Sequence, residues 1–297
     1  MRLFFLGQKK DMARSSLVLA LLVLLAAPAA ALVTRPLPGR STAPALRLRG
    51  GLGGVDSAIV AKLSTGLGVV SGACLGLAAD KACTAYGIKT DGKSDGLTKF
   101  ILENMGWLLL AVSLTGALTV TGSSIEKAVG WALLPYSVAT SQAILQGRPA
   151  QLGIDVSGQI MCLSIMAFVM HACFTEAAYV DTALKAFASF YLLMGILQVV
   201  APLKTAQGWG IAPGLVGDLD KQLFKTYGYF VAEFAVLLFS LIHGNPPSVA
   251  WGHARLVTLL CAFDNLFIAK VSQLGVDLAP QLAGTAISLL VTAFTLL

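Results

Sequence analysis

Gln151-Leu152-Gly153-Ile154-Asp155 returns 122 residues later as Gln273-Leu274-Gly275-Val276-Asp277. Its neighbours return with it. At the same offset Gly106 matches Gly228, Gly122 matches Gly244, Gly130 matches Gly252, Lys99 matches Lys221 and Gln159 matches Gln281. Towards the N-terminus the offset becomes 123, a one-residue indel in a loop. There Lys62 matches Lys185, Gly72 matches Gly195, Lys81 matches Lys204 and Gly87-Ile88 matches Gly210-Ile211. A fixed period settles the architecture before any other reading, and this chain reads as one unit of about 120 residues written twice.

Composition places both copies in a membrane. Hydrophobic residues make up 56% of the 297 and charged residues 12%, far from the balance of a soluble domain. The net charge of +6 is concentrated at the N-terminus, where residues 1–50 hold eight bases and one acid. The remainder holds 13 bases against 14 acids. With no basic patch in the body, nucleic acid is excluded as a partner.

The N-terminus reads as a leader. Lys9, Lys10 and Arg14 precede the apolar run Leu17–Leu25 and a small-residue exit, Ala-Pro-Ala-Ala-Ala. This is the pattern of a secretory signal peptide, assigned to residues 1–31. Residues 32–56 follow as a transit-like segment or a disordered linker; from 32 to 51 they hold four arginines, three prolines and no acid. Signal peptide plus such a stretch resembles the bipartite plastid presequence of algae with secondary plastids. A plastid membrane or a secretory-pathway membrane is then the expected location.

The rest divides into two membrane repeats, 57–178 and 179–297. A helix needs about 20 apolar residues to cross a bilayer. Candidate spans lie near 60–79, 103–121, 127–146, 156–174, 184–202, 227–243, 250–269 and 280–297. The expected fold is therefore all-α and polytopic, with eight transmembrane helices as two parallel four-helix repeats. Four spans per copy return each copy to its starting side, so the repeats are related about the membrane normal. Loops after odd-numbered spans carry nine bases, Lys225 among them, while Lys62, Lys127 and Lys185 lie on the other side. That imbalance puts the nine-base loops on the cytosolic or stromal side and both termini opposite.

Several residues invite a functional reading beside a structural one. Ser64, Gly68, Gly72 and Gly76 form a small-residue face on the first span, suited to close helix packing or to an oligomer seam. Asp155 and Asp277 stand where a carboxylate caps a helix N-terminus. Gln159 and Gln281 follow one turn deeper, able to hydrogen-bond between helices. The informative residues break the symmetry: Glu233 stands against Ala111 of the first copy, Arg255 against Leu133, and Asp264 against Gln142. Ionisable groups at membrane depth are costly and mark pairs or pathways. Counting helical rise from the turn at Pro246-Pro247 puts Glu233 and Asp264 at similar depth, with Arg255 about 9 Å nearer the turn. Arg255 and Asp264, nine residues apart, point to opposite faces, so one of them at most reaches Glu233. The candidate path is Glu233 with Asp264-Asn265 or with Arg255; the structural alternative is one ion pair that fixes helix register.

No catalytic or cofactor signature occurs. His171, His243 and His253 form no ligand pair, the five cysteines show no C-x-x-C spacing, and no phosphate loop, nucleophile elbow or haem motif is present. No metal, cofactor or catalytic residue is expected.

Residues 183–243 hold Ala201-Pro202-Leu203-Lys204, then Gly208-Trp209-Gly210-Ile211, then Tyr227-Gly228-Tyr229 opening the next span. This unit resembles small four-helix membrane families of the DoxX-like kind, in helix count and glycine punctuation. The resemblance implies a four-helix membrane unit and transfers no binding residue. Three functions remain open. The first is a non-catalytic assembly or scaffold component, with a membrane-protein partner or a second copy of itself in the bilayer. The alternative is a small-solute or ion transporter with a polar site in the second repeat. The third, least supported, is an enzyme acting on a lipid or quinone. Transport expects a continuous cavity at the charged residues; scaffolding expects a packed, dry interior.

Overall fold

The structure, a computed structural model, describes residues 56–88 and 95–297. The signal peptide and all but the last residue of the segment after it lie outside the described residues. Among those described, all regular structure is helical. Helices α1 (Ser57–Leu77), α2 (Ala79–Ala85), α3 (Asp95–Val120), α4 (Ile125–Leu145), α5 (Arg148–Gln151) and α6 (Val156–Phe174) come first. Then follow α7 (Val180–Val200), α8 (Pro202–Gly208), α9 (Asp218–Ile242), α10 (Pro247–Phe263) and α11 (Leu278–Leu296).

Six of these helices (α1, α3, α6, α7, α9 and α11) are long and apolar enough to cross a bilayer. The chain is a multi-pass membrane protein. Two further spans expected from the sequence correspond to α4, which carries Glu126 in its first turn, and α10, only 17 residues long.

Helix starts are set by side chains that satisfy free backbone N–H groups. The Asp56 carboxylate accepts from Ala58 N–H, Ser124 Oγ from Lys127 N–H, Asp155 from Ser157 N–H, and Asp277 from Ala279 N–H. Ser157, through its N–H and hydroxyl, holds the exposed Asp155 carboxyl below the usual carboxylate range. Boundaries fall at the sequence period: α7 begins and ends 123 residues after α1, and α11 begins and ends 122 after α6.

Close packing depends on missing side chains. A Cβ on Gly72 in α1 would lie 2.5 Å from the Leu110 backbone nitrogen of α3, and one on Gly106 would lie 2.6 Å from the Leu75 carbonyl carbon. The crossing of α7 and α9 is built alike, with a Cβ on Gly195 at 2.7 Å from Ala232 N and one on Gly228 at 2.9 Å from Gly195 O. Lipid gives helices no hydrophobic drive to associate, so such backbone approach supplies the contact.

Helices α3 and α9 meet at the centre, where Thr98 Oγ1 donates to Asp220 Oδ1 at 2.5 Å. Around them α6 lies against α7, and α11 against α1. The loop after α2 reaches the start of α11, where Asp277 N–H donates to Tyr86 O at 2.8 Å. The loop after α8 reaches the start of α6 in the same manner, Gly210 backing onto Asp155.

Candidate functional site

Helices α9 and α10 run antiparallel from a turn at Gly244, whose φ of +80° few other residues adopt at low cost. That glycine lies midway between Ile242 and Pro247, so depth on the two helices is measured from it. Arg255 is then level with Glu233, and Asp264 with Lys225. Sequence counting from the Pro246-Pro247 pair put the pivot two to three residues too late. That shift leaves Asp264 level with a point about two turns along α9 from Glu233.

Two buried ion pairs result. Arg255 Nη2 stands 3.2 Å from Glu233 Oε1, and the carboxylate is fully buried. This is a charge contact without hydrogen-bond geometry. The guanidinium also lies 4.0 Å from the centre of the Trp251 ring, a cation–π contact in a water-poor setting. Trp251 is itself fully buried, and its Nε1 donates to Ser64 Oγ on α1. Eight residues along α9, Lys225 Nζ meets Asp264 Oδ1 at 2.6 Å. Gln222 Nε2 donates to Asp264 Oδ2 at 3.1 Å and to Asn265 Oδ1 at 2.7 Å. Asp264 and Asn265 open a π-helical turn, Asp264–Ile268, after α10. Such wide turns re-aim adjacent side chains and gather at functional sites; here both neighbours reach Gln222.

Between the two pairs lies a cavity of about 260 Å³. Arg255, Thr258 and Ser64 line one end, and Gln222, Thr226 and Asn265 the other. Apolar side chains, among them Leu75, Met105, Leu109, Phe230 and Val291, form the walls between. Gln281 lines it from α11, whereas Gln159 lines a second cavity of about 30 Å³. Tyr86, a further wall residue, lies outside the spans, and burial pushes its phenol up, so it is neutral. Of the four candidate path residues, Arg255 and Asn265 line the cavity, while Glu233 and Asp264 do not and serve as counter-charges to Arg255 and Lys225. Among the described residues, no three His, Cys, Asp or Glu side chains are grouped to hold a metal ion.

The smaller cavity occupies the equivalent place in the sequence period, and both cavities are lined by residues of both halves. Leu97, Ile101, Asn104 and Gln159 line it, and the residues 122 positions later, Leu219, Leu223, Thr226 and Gln281, line the larger one. The difference between the two lies in the filling. Where the large cavity has Ser64, Gly68, Thr258 and Ser288, the corresponding positions hold Phe187, Tyr191, Tyr136 and Met166. These four are buried, Phe187 and Tyr191 pack ring to ring, and the Tyr136 hydroxyl bonds the Tyr227 hydroxyl at 2.6 Å. Ala111 and Leu133, the counterparts of Glu233 and Arg255, are fully buried and apolar.

No known protein family, curated protein or solved structure matches the chain. The function is therefore argued from this site alone. Sequence reasoning did not find Trp251, Lys225, Gln222, Thr258 or Ser288. Lys225 was counted as a loop base, yet it lies within α9 and its side chain is 15% exposed. Charge breaks the symmetry at Glu233 and Arg255, while size breaks it at Ser64, Gly68, Thr258 and Ser288. A comparison of side-chain volume at equivalent positions would have located the cavity.

Proposed function

We propose that this protein is a membrane carrier that binds a small solute in the larger cavity, between α1 and α3 of the first half and α9, α10 and α11 of the second. The observation that carries the reading is a cavity placed between two buried ion pairs, where the equivalent place is filled by Phe187, Tyr191, Tyr136 and Met166. A scaffold expects the filled arrangement throughout; a carrier expects one open, polar-ended chamber. Both ion pairs are internally neutral, so a bare ion gains no net charge attraction there, which favours a small molecule.

The test is retention of a ligand. Protein extracted in mild detergent is expected to carry a co-purifying small molecule, seen by native mass spectrometry. The variant Thr258→Tyr/Ser288→Met, which brings in the residues of the equivalent filled place, is expected to lose that mass while eluting and melting as the parent does. Identical bare masses for both proteins would remove the reading.

The same proposal includes eight spans as two parallel four-helix units, delivered by the leader to a plastid or secretory-pathway membrane. Helix boundaries that recur at 122 or 123 residues support it, as do the reciprocal loop contacts at Asp277 and Asp155. Single cysteines placed at Lys81 and Lys204 are expected to label from one face of sealed vesicles, and one at Lys185 from the other. Labelling of Lys81 and Lys204 from opposite faces would mean that the halves are not parallel.

A further inference from the structure

The cavity has closed ends and an open side. At one end the Trp251–Ser64 hydrogen bond ties α10 to α1; at the other, Asp277 N–H bonds Tyr86 O. Of all the side chains that line it, only Leu67, Ser71, Gly284 and Ile287 are also exposed on the outside of the protein. Leu67 and Ser71 lie on α1, Gly284 and Ile287 on α11, both helices long and apolar enough to span the bilayer. A mouth between two such helices opens onto lipid.

Charge and length then define what fits. Each cation at the cavity already has its carboxylate, Arg255 with Glu233 and Lys225 with Asp264. A charged guest would bring a third, uncompensated charge into a space walled by leucine, methionine and valine, which is costly. Hydrogen-bonding groups nevertheless line it: Arg255 and Thr258 at one end, and Gln222, Thr226 and Asn265 at the other. Polar groups stand at both ends, eight residues apart along α9, or about 12 Å at helical rise.

Resting on the reading of this cavity as a binding site, we infer that its ligand is an uncharged, lipid-soluble molecule with hydrogen-bonding groups at both ends. It enters from the bilayer between α1 and α11, and Arg255 and Asn265 hold its two ends.

Two photoreactive probes test this in phosphatidylcholine nanodiscs: a diazirine-bearing alkyl diol and the alkyl sulfonate of the same length. The diol is expected to crosslink to residues of the cavity wall, and the sulfonate to do so at least about tenfold less. Gly284→Trp is expected to cut diol labelling severalfold. It should also fold, because a Cβ at Gly284 meets nothing within 4 Å. Ser71→Trp, on the facing helix, should act alike. Sulfonate labelling equal to that of the diol overturns the uncharged class. Diol labelling unchanged in both tryptophan variants overturns lateral entry. If neither probe reaches the cavity wall in folded parent protein, the binding site itself is lost, an outcome distinct from the other two.

Discussion

Arg255→Leu is expected to destabilise the folded protein by about 3–5 kcal/mol, since it leaves the Glu233 carboxylate fully buried with no cation. The first half of the chain shows how these positions are filled without charge, by Ala111 and Leu133. The double variant Glu233→Ala/Arg255→Leu, which copies that pair, is therefore expected to recover most of the loss. Replacing a whole buried ion pair with apolar groups is often neutral or better, whereas removing one member is not. Unfolding midpoints in dodecyl sulfate give the stabilities, and native mass spectrometry the ligand. The double variant should be stable and empty. A single variant as stable as the parent would mean that Glu233 reaches water or carries a proton.

Gly106→Val is expected to prevent α1 and α3 from closing, at a loss of at least roughly 3 kcal/mol, the upper part of the usual overpacking range. The added Cβ would sit 2.6 Å from the Leu75 carbonyl carbon and 2.7 Å from Gly76 Cα, backbone atoms that cannot turn aside. The helices must separate along their whole contact, and without a hydrophobic drive in lipid little replaces it. Gly158→Val is the control, because nothing stands within 4 Å of a Cβ there and only helix propensity changes. Equal stabilities for the two variants would remove close helix approach as the basis of this packing.

Features set by local rules and by the period were legible in the sequence. Gly72, Gly106, Gly195 and Gly228 recur at the repeat offset, and all four lie at helix crossings. Asp155 and Asp277 recur, and both cap helices. Glu233, Arg255, Asp264 and Asn265 stood out because charge and amide groups at membrane depth are conspicuous. Their pairing was less legible. A pivot displaced by two to three residues is enough to exchange partners between antiparallel helices, and the pivot depended on the φ of Gly244. The cavity itself was illegible to a search for chemical motifs. It is made by serine, glycine and threonine where the equivalent positions hold phenylalanine, tyrosine and methionine, and a small residue in a membrane helix reads first as a packing device. Trp251 gave no signal of its own, since its role comes from Arg255 one turn later and from Ser64 on a distant helix.

The hydrogen bond from Thr98 to Asp220 joins two positions that are 122 residues apart, equivalent in the sequence period. Under the proposed pairing of two like units, a position that meets its own counterpart lies on the axis that relates them. In a dimer of identical single units, whatever residue occupies such a position must face itself. Two aspartates there would repel, and two threonines would lack a strong acceptor. In a single chain the two positions are separate residues, so one is the donor and the other the acid. One chain can thus hold what a self-paired unit cannot: a charge where equivalent positions meet, and by the same freedom one chamber open while its equivalent is filled.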